Sequence, residues 1–173
     1  MRVQILPAEL EQIYRQHRQA LFTLALTVTR CTGLAEDAVQ EAFVRLCQKV
    51  EPQQGSLVAY VFASVRNAAV DVHRRQQHQQ GLAESIFADR PNSVANPVSR
   101  LDSGDSEKTE LESQLKVAIQ QLEETSRQIV VMKIYAELTF EEIGEVLETP
   151  SATVATRYRR AIMKLEGQLR RDS

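Results

Sequence analysis

Around Thr153 the chain gathers side chains of the types that can bind nucleic acid. Thr153, Thr156, Arg159 and Arg160, with Arg157 and Lys164 beside them, lie in SATVATRYRRAIMKL. An Arg fork matches base edges and phosphates, a Thr hydroxyl donates or accepts at short range, and Lys supplies a mobile point charge. At about 100° per residue, Val154, Tyr158, Ala161 and Leu165 cluster on one side of a helix, while Thr153, Thr156, Arg159 and Arg160 point away. Such an outward face suits a helix that reads a DNA groove. A solvated helix end offsetting its own dipole would carry similar charges. The formal net charge is only −2, yet residues 151–173 hold six Lys and Arg against two acids, behind an acidic stretch at 111–150. That segregation is the electrostatic footprint expected of a local DNA contact rather than of a chain that coats nucleic acid.

Two further stripes have usable chemistry. Tyr60, Ala63, Asn67, Asp71 and Arg74 lie opposite the apolar set Leu57, Val61, Val65, Ala68 and Val72. An aromatic ring, an amide and an Arg in one row could stack on, hydrogen-bond and neutralise single-stranded DNA. The alternative is that Tyr60 packs at a domain edge and the others are solvated. Asp37, Gln40, Glu41, Val44, Arg45 and Gln48 turn away from Val39, Phe43 and Leu46; a Val among acids and amides fits a protein-binding face, or a solvated side with one stray Val. Other reactive types are uninformative. His73 and His78 are five apart, not the four that puts two imidazoles on one metal, and are expected to face solvent. Cys31 and Cys47 are expected to be buried small hydrophobes. No phosphate-binding glycine loop, G-x-S-x-G or H-E-x-x-H occurs in the sequence, so neither an enzyme nor a cofactor is expected.

These residues need helices to present them. Apolar positions recur at three and four from Leu10 to Val28, ending near Gly33, then from about Ala35 to Val50, then from Leu57 to about Arg75, with a loop at 51–56. From about residue 76 to 110 Gln, Ser, Asn and Pro dominate and no helical period survives, which predicts a tether. Periodicity resumes at Leu111. Thr139 and Glu142 form a T-x-x-E capping box before Phe140, Ile143 and Leu147; Gly144 admits a close neighbour; Thr149 and Pro150 restart the chain as N-cap and first helical residue. Two helices on so short a turn read as helix-turn-helix. The expectation is an all-α chain of two small helical domains, 1–78 and 111–173, joined by a flexible linker at 79–110. No apolar run is long enough to span a membrane and the start lacks a signal core, so the chain is expected to stay in the cytoplasm.

Two blocks together carry a family resemblance. Residues 35–50, AEDAVQEAFVRLCQKV, continue into 55–75, GSLVAYVFASVRNAAVDVHRR, and residues 138–165 read LTFEEIGEVLETPSATVATRYRRAIMKL. In this order, on either side of a polar tether, they resemble bacterial RNA polymerase sigma factors of the extracytoplasmic function (ECF) group of the sigma-70 family. The resemblance implies that the first domain binds the polymerase clamp through Asp37, Gln40, Glu41 and Val44 and melts the promoter minus-ten element with Tyr60, Asn67, Asp71 and Arg74. It implies that Thr153, Thr156, Arg157, Arg159, Arg160 and Lys164 meet the minus-thirty-five element. The partners implied are core RNA polymerase, promoter DNA and, often in this group, an anti-sigma factor. The chain departs from the family pattern at Tyr60, where Trp is usual, at Ala63, near which a base is usual, and at Ala152 and Ala155, where Gly and a base are frequent. A helix-turn-helix regulator acting without polymerase, or a helical adaptor that binds only proteins, is the rival reading.

Overall fold

A computed structural model describes residues 7–48, 55–86 and 110–171. Among the described residues seven helices follow one another: α1 Pro7–Thr29, α2 Thr32–Gln48, α3 Leu57–Ile86, α4 Glu110–Gln120, α5 Glu124–Ile134, α6 Phe140–Leu147 and α7 Ser151–Arg171. There is no strand among the described residues.

The first stop differs from the sequence expectation. Arg30, with φ 55°, takes the left-handed position after α1, and its N–H donates to Leu26 O at 2.9 Å. A left-handed residue there satisfies an orphan carbonyl whether or not it is glycine. Gly33 therefore lies inside α2 rather than ending α1. Thr27 and Thr29, buried near this end, donate their hydroxyls to Leu24 O and Ala25 O at 2.7 and 3.1 Å, so neither is an unsatisfied polar group.

Ser56 opens α3. Its Oγ accepts from Ala59 N–H at 3.3 Å and its carbonyl accepts from Tyr60 N–H at 3.0 Å, the geometry of an N-cap. The helix does not stop near Arg75 but runs to Ile86, across the expected boundary at 78/79. Loss of apolar period is not loss of helix: Gln and Arg are good helix formers, and the one breaker in the stretch, Gly81, costs only about 1 kcal/mol. The rest of the expected linker, 87–109, lies outside the described residues, as does Val50.

The expected inner faces are largely the buried ones. Leu10, Ile13, Leu21, Leu24, Ala25 and Val28 of α1, Val39, Ala42 and Leu46 of α2, and Val61, Val65, Ala68 and Val72 of α3 are core residues. Tyr14 is not: it is exposed, with its ring edge-on to Phe43 at 5.2 Å. The two cysteines also depart from expectation. Cys31 sits in the turn between α1 and α2, and Cys47 stands one residue, hence a large rotation, past the inward Leu46; both are exposed.

The N-terminal three helices and the C-terminal four pack together. Helix α3 packs on α6 and α1 on α5, and one buried cluster runs through both halves, from Leu21, Leu24, Phe62 and Val65 to Ile129, Met132, Ile143 and Val154. A smaller cluster of Ala118, Leu122, Val130, Ala161 and Leu165 ties α4, α5 and α7 into a unit.

Candidate nucleic-acid interface

The C-terminal reading face is built on a short capped helix. Thr139 Oγ1 accepts from Glu142 N–H at 3.1 Å while Glu142 Oε2 accepts from Thr139 N–H at 2.9 Å, completing the capping box and fixing where α6 begins. Its far end closes through Glu148, left-handed at φ 51°, and Thr149 N–H donates to Gly144 O at 2.9 Å. A Cβ on Gly144 would stand 2.6 Å from Thr149 O, so the turn into α7 crosses α6 at a distance only glycine permits.

One detail of the expected turn shifts by a residue. Thr149 Oγ1 donates to Leu147 O at 3.0 Å instead of capping α7, and Pro150 supplies the carbonyl that accepts Thr153 and Val154 N–H at 2.9 and 3.1 Å. Lys133 holds the entry to α6 from the other side: its Nζ donates to Leu138 O at 2.9 Å and lies 4.8 Å from the centre of the Phe140 ring. Phe140 in turn packs on Tyr158 of α7, ring centroids 5.6 Å apart.

On that frame α7 buries Val154, Ala161 and Leu165 and half-buries Tyr158, as its periodicity predicts. Thr153, Thr156, Arg157, Arg159, Arg160 and Lys164 are all exposed. Arg159 and Arg160 have no hydrogen-bond or ion-pair partner among the described residues. Thr156 Oγ1 donates to Ala152 O at 3.0 Å, which leaves the hydroxyl oxygen able to accept. Lys164 has a structural contact that spacing did not reveal: its Nζ donates to Gln121 O at 3.2 Å, beside Gln168 Nε2 donating to Gln121 Oε1 at 2.7 Å. These two bonds tie α7 to the turn between α4 and α5. Arg127, donating to Gln120 O and Leu122 O at 2.7 and 2.9 Å, closes the same turn from within α5.

The α2 and α3 stripes are linked to each other. Asp37 and Gln40 are exposed and Val44 is 56% exposed, as expected of an outward face. Glu41 is half-buried and engaged, accepting from Arg45 on its own helix and from Arg75 of α3 at 2.7 Å. Asp71 of α3 lies 3.7 Å from Arg45. Asn67 and Arg74 are exposed. His78 faces solvent as expected, whereas His73 is half-buried and its Nε2 lies 3.0 Å from Gln77 Nε2.

Tyr60 and Ala63 differ from the expectation of a face opposite the core. Both are half-buried and pack against the shared cluster, because the C-terminal half lies on that side of α3. The bounding contacts are polar. Ser56 Oγ donates to Glu142 Oε1 at 2.8 Å, and Arg66 Nε donates to Gln128 Oε1 at 2.8 Å. Gln128 is only 2% exposed, and its Nε2 donates to Glu124 Oε1 at 3.1 Å, so the buried amide is satisfied at both ends. A Gln directly ahead of the apolar run Ile129 to Met132 is the one sequence signal for this contact; Ser56, just ahead of Leu57, is a readable N-cap, but nothing points to its partner.

Burial alone would raise the Glu142 carboxyl, but hydrogen bonds from Thr139 N–H, Ser56 Oγ and Thr139 Oγ1, with His17 nearby, hold it below the ordinary range. His17 of α1, edge-on to Phe62 at 5.7 Å, is held below its ordinary value by burial, against the pull of Glu142 and Glu137. No described group of His, Cys, Asp and Glu could hold a metal ion.

Comparison with known proteins matches this architecture. Residues 13–79 match the family model for Sigma-70 region 2 and residues 112–165 that for Sigma-70, region 4. The ECF RNA polymerase sigma factor SigK of Mycobacterium tuberculosis is 24% identical over 165 residues, covering 94% of this chain and 86% of the relative. SigM of Bacillus subtilis, also an ECF RNA polymerase sigma factor, is 21% identical over 159 residues, covering 91% and 93%. Among solved structures, the sigma factor RpoE in complex with the anti-sigma factor NepR from Bartonella quintana superposes with a TM-score of 0.65 at 19% identity over 95% of this chain and 99% of the other. CnrH in complex with the cytosolic domain of CnrY gives 0.62 at 20% identity over 98% and 92%. With the two region models in this order over more than two thirds of its length, the chain belongs to the sigma-70 family of RNA polymerase sigma factors, in the ECF group.

Proposed function

We propose that this chain binds core RNA polymerase through the α2 face, reads the minus-thirty-five element with α7 and holds the melted minus-ten strand on α3, and that it catalyses no reaction of its own. In this reading residues 1–78 and 111–173 act as the two binding units, with α3 reaching past the first. The observation that carries it is the outward face of α7: Thr153, Thr156, Arg159 and Arg160 exposed on a helix whose start is fixed by a capped, glycine-dependent turn. Rigid placement matters because a bidentate Arg discriminates a base only if its backbone cannot drift.

Each group then has a distinct physical task. Arg159 and Arg160 suit base edges, with Thr153 and Thr156 beside them, and Arg157 suits phosphates; Lys164 suits phosphates too once its bond to Gln121 is released. On α3, Tyr60 stacks an unpaired base, Asn67 reads its edge, and Arg74 neutralises the strand, with Asp71 bordering the row. A surface that binds single strands and not duplex lowers the free energy of melting by its differential affinity, roughly 1–3 kcal/mol for each stacked base. On α2, Asp37, Gln40 and Val44 offer an open docking face, with Glu41 at its edge. Core polymerase, promoter DNA and an anti-sigma protein are the partners of this reading, which places the chain in the cytoplasm. No helix among the described residues is long and apolar enough to cross a membrane.

Run-off transcription from a cognate promoter, with and without added core polymerase, tests the proposal. A transcript that requires both the chain and core is expected. Specific DNA binding by the chain alone at physiological salt, with no effect on transcription, would mark a regulator instead; no DNA binding under either condition would mark a protein adaptor.

A further inference from the structure

The outward face of α7 has an apolar residue at its centre. At about 100° per residue, Met163 stands almost opposite the middle of the buried set Val154, Ala161 and Leu165, between Arg159 and Arg160 of the preceding turn and close to the line of Thr156. It is 71% exposed, more than any other large hydrophobic side chain among the described residues. Single exposed apolar residues are ordinary on a protein surface. Met163 differs in its company, for Thr156, Arg159 and Arg160 are exposed around it and it is the one exposed large hydrophobic among the described residues of α7. A docking face for another protein would have a contiguous apolar centre poor in charge, whereas Met163 is ringed by cations and a hydroxyl.

The side chains around it recognise by hydrogen bonds. Arg forks and Thr hydroxyls address the donors and acceptors of base edges, and the one apolar group on the floor of the major groove is the C5 methyl of thymine. A methionine side chain is unbranched, flexible and polarisable, so it moulds itself to such a group. Its place along the helix suits the task. Thr153 to Met163 runs about 15 Å along the axis, close to the roughly 12 Å width of the groove, so Met163 faces base pairs at one end of the element. The next turn brings Glu166, an acid that phosphates repel, and Gly167, which has no side chain, so the row ends at Met163.

We propose that Met163 is a specificity-determining residue of α7, its side chain packing on a thymine methyl in the minus-thirty-five element. This deepens the reading of α7 as the promoter-reading helix and rests on it. Arg159 and Arg160 set the helix over the element, and Met163 adds discrimination for an A·T pair at one position without a hydrogen bond.

The test uses holoenzyme assembled from core polymerase and the full chain as wild type, Met163→Ala, Met163→Leu and Arg160→Ala. Each thymine of the minus-thirty-five element, on either strand, is replaced singly by deoxyuridine, which removes one methyl and leaves every hydrogen-bonding group in place. With wild type, one position is expected to lose about fourfold in affinity, the effect of one buried carbon. Met163→Ala should no longer distinguish thymine from deoxyuridine there, whereas Met163→Leu should keep the distinction. Helical circular dichroism of Met163→Ala and its assembly with core before DNA is added should match wild type. Equal affinity of the wild type for all the deoxyuridine duplexes, or an undiminished methyl effect in Met163→Ala, overturns the proposal. Weakened assembly of folded Met163→Ala with core would put the residue at a protein contact and overturns it as well. If Arg160→Ala relaxes sequence preference while the methyl effect is missing, only the role of Met163 fails; if Arg160→Ala also leaves preference and affinity unchanged, the α7 reading itself fails.

Discussion

At the scale of single residues the tightest constraint is Gly144. The atom that a Cβ would meet is a backbone oxygen, 2.6 Å away, which cannot swing aside as a side-chain end would. Gly144→Ala is expected to cost about 1–3 kcal/mol, read by calorimetry as a fall in Tm of about 2–4 °C for each kcal/mol in a chain of this size. An unchanged Tm would mean the turn can relax. His17 predicts a pH response. Its pKa is depressed by burial from an ordinary 6.5, so its contribution is complete above about that pH and is lost as pH falls through the lowered value. Glu142, also depressed, loses its contribution at lower pH, below its ordinary 4.5. Thermal stability should therefore fall between pH 7.5 and 5.5, and His17→Gln should flatten that part of the curve; an equal slope in both proteins would assign the change elsewhere. Gly144 was legible in the sequence as a site of close approach. The environment of His17 was not, since α1 gives no sign that Glu142 and Glu137, more than a hundred residues on, approach it.

At the scale of elements, α7 and α2 make separable predictions. Arg160→Ala should relax sequence preference at one position and cost on the order of 1–3 kcal/mol, measured as holoenzyme binding to promoter variants. Lys164→Ala should weaken all promoters alike and lower the salt slope by about one, with a small loss of stability from the missing Gln121 bond, so its Tm is measured alongside. Identical sequence preference and affinity for Arg160→Ala and wild type would remove this helix from base reading. On α2, Asp37→Arg is the clean reversal, because Asp37 is exposed and has no partner among the described residues, whereas Glu41→Arg would also break its pairs with Arg45 and Arg75. Asp37→Arg should weaken holoenzyme assembly while leaving the unfolding free energy within about 0.5 kcal/mol of wild type, the usual range for a surface change. Periodicity gave the inner faces of α1, α2, α3 and α7 well, because burial on one side is what periodicity records, but it did not reveal that Tyr60 and Ala63 on the other side of α3 also pack on the core. It failed for the end of α3, where a solvated Gln-rich helix has no buried side to leave a pattern, and for Cys31 and Cys47, where residue type pointed inward and position did not.

At the scale of the molecule, the sequence predicts two helical domains on a tether without saying whether they pack together, and the buried core runs through both halves. The sequence announces that each helix has an apolar face but not which face it meets, and Ile129, Met132 and Ile143 would satisfy their periodicity against any apolar neighbour. The continuous core predicts cooperative unfolding. Phe62 is fully buried at its centre, so Phe62→Ala should cost about 3–5 kcal/mol and bring earlier exchange of amides in α5 and α6 as well as in α1 to α3, read by hydrogen exchange. Exchange accelerated in the first three helices alone would mean that the halves unfold separately. Glu145 lies apart from both the promoter-reading and the polymerase-docking residues, yet touches the start of α3. A side chain at position 55 would have to push that carboxylate aside, so what the start of α3 tolerates is set in part by a residue of α6 far along the chain.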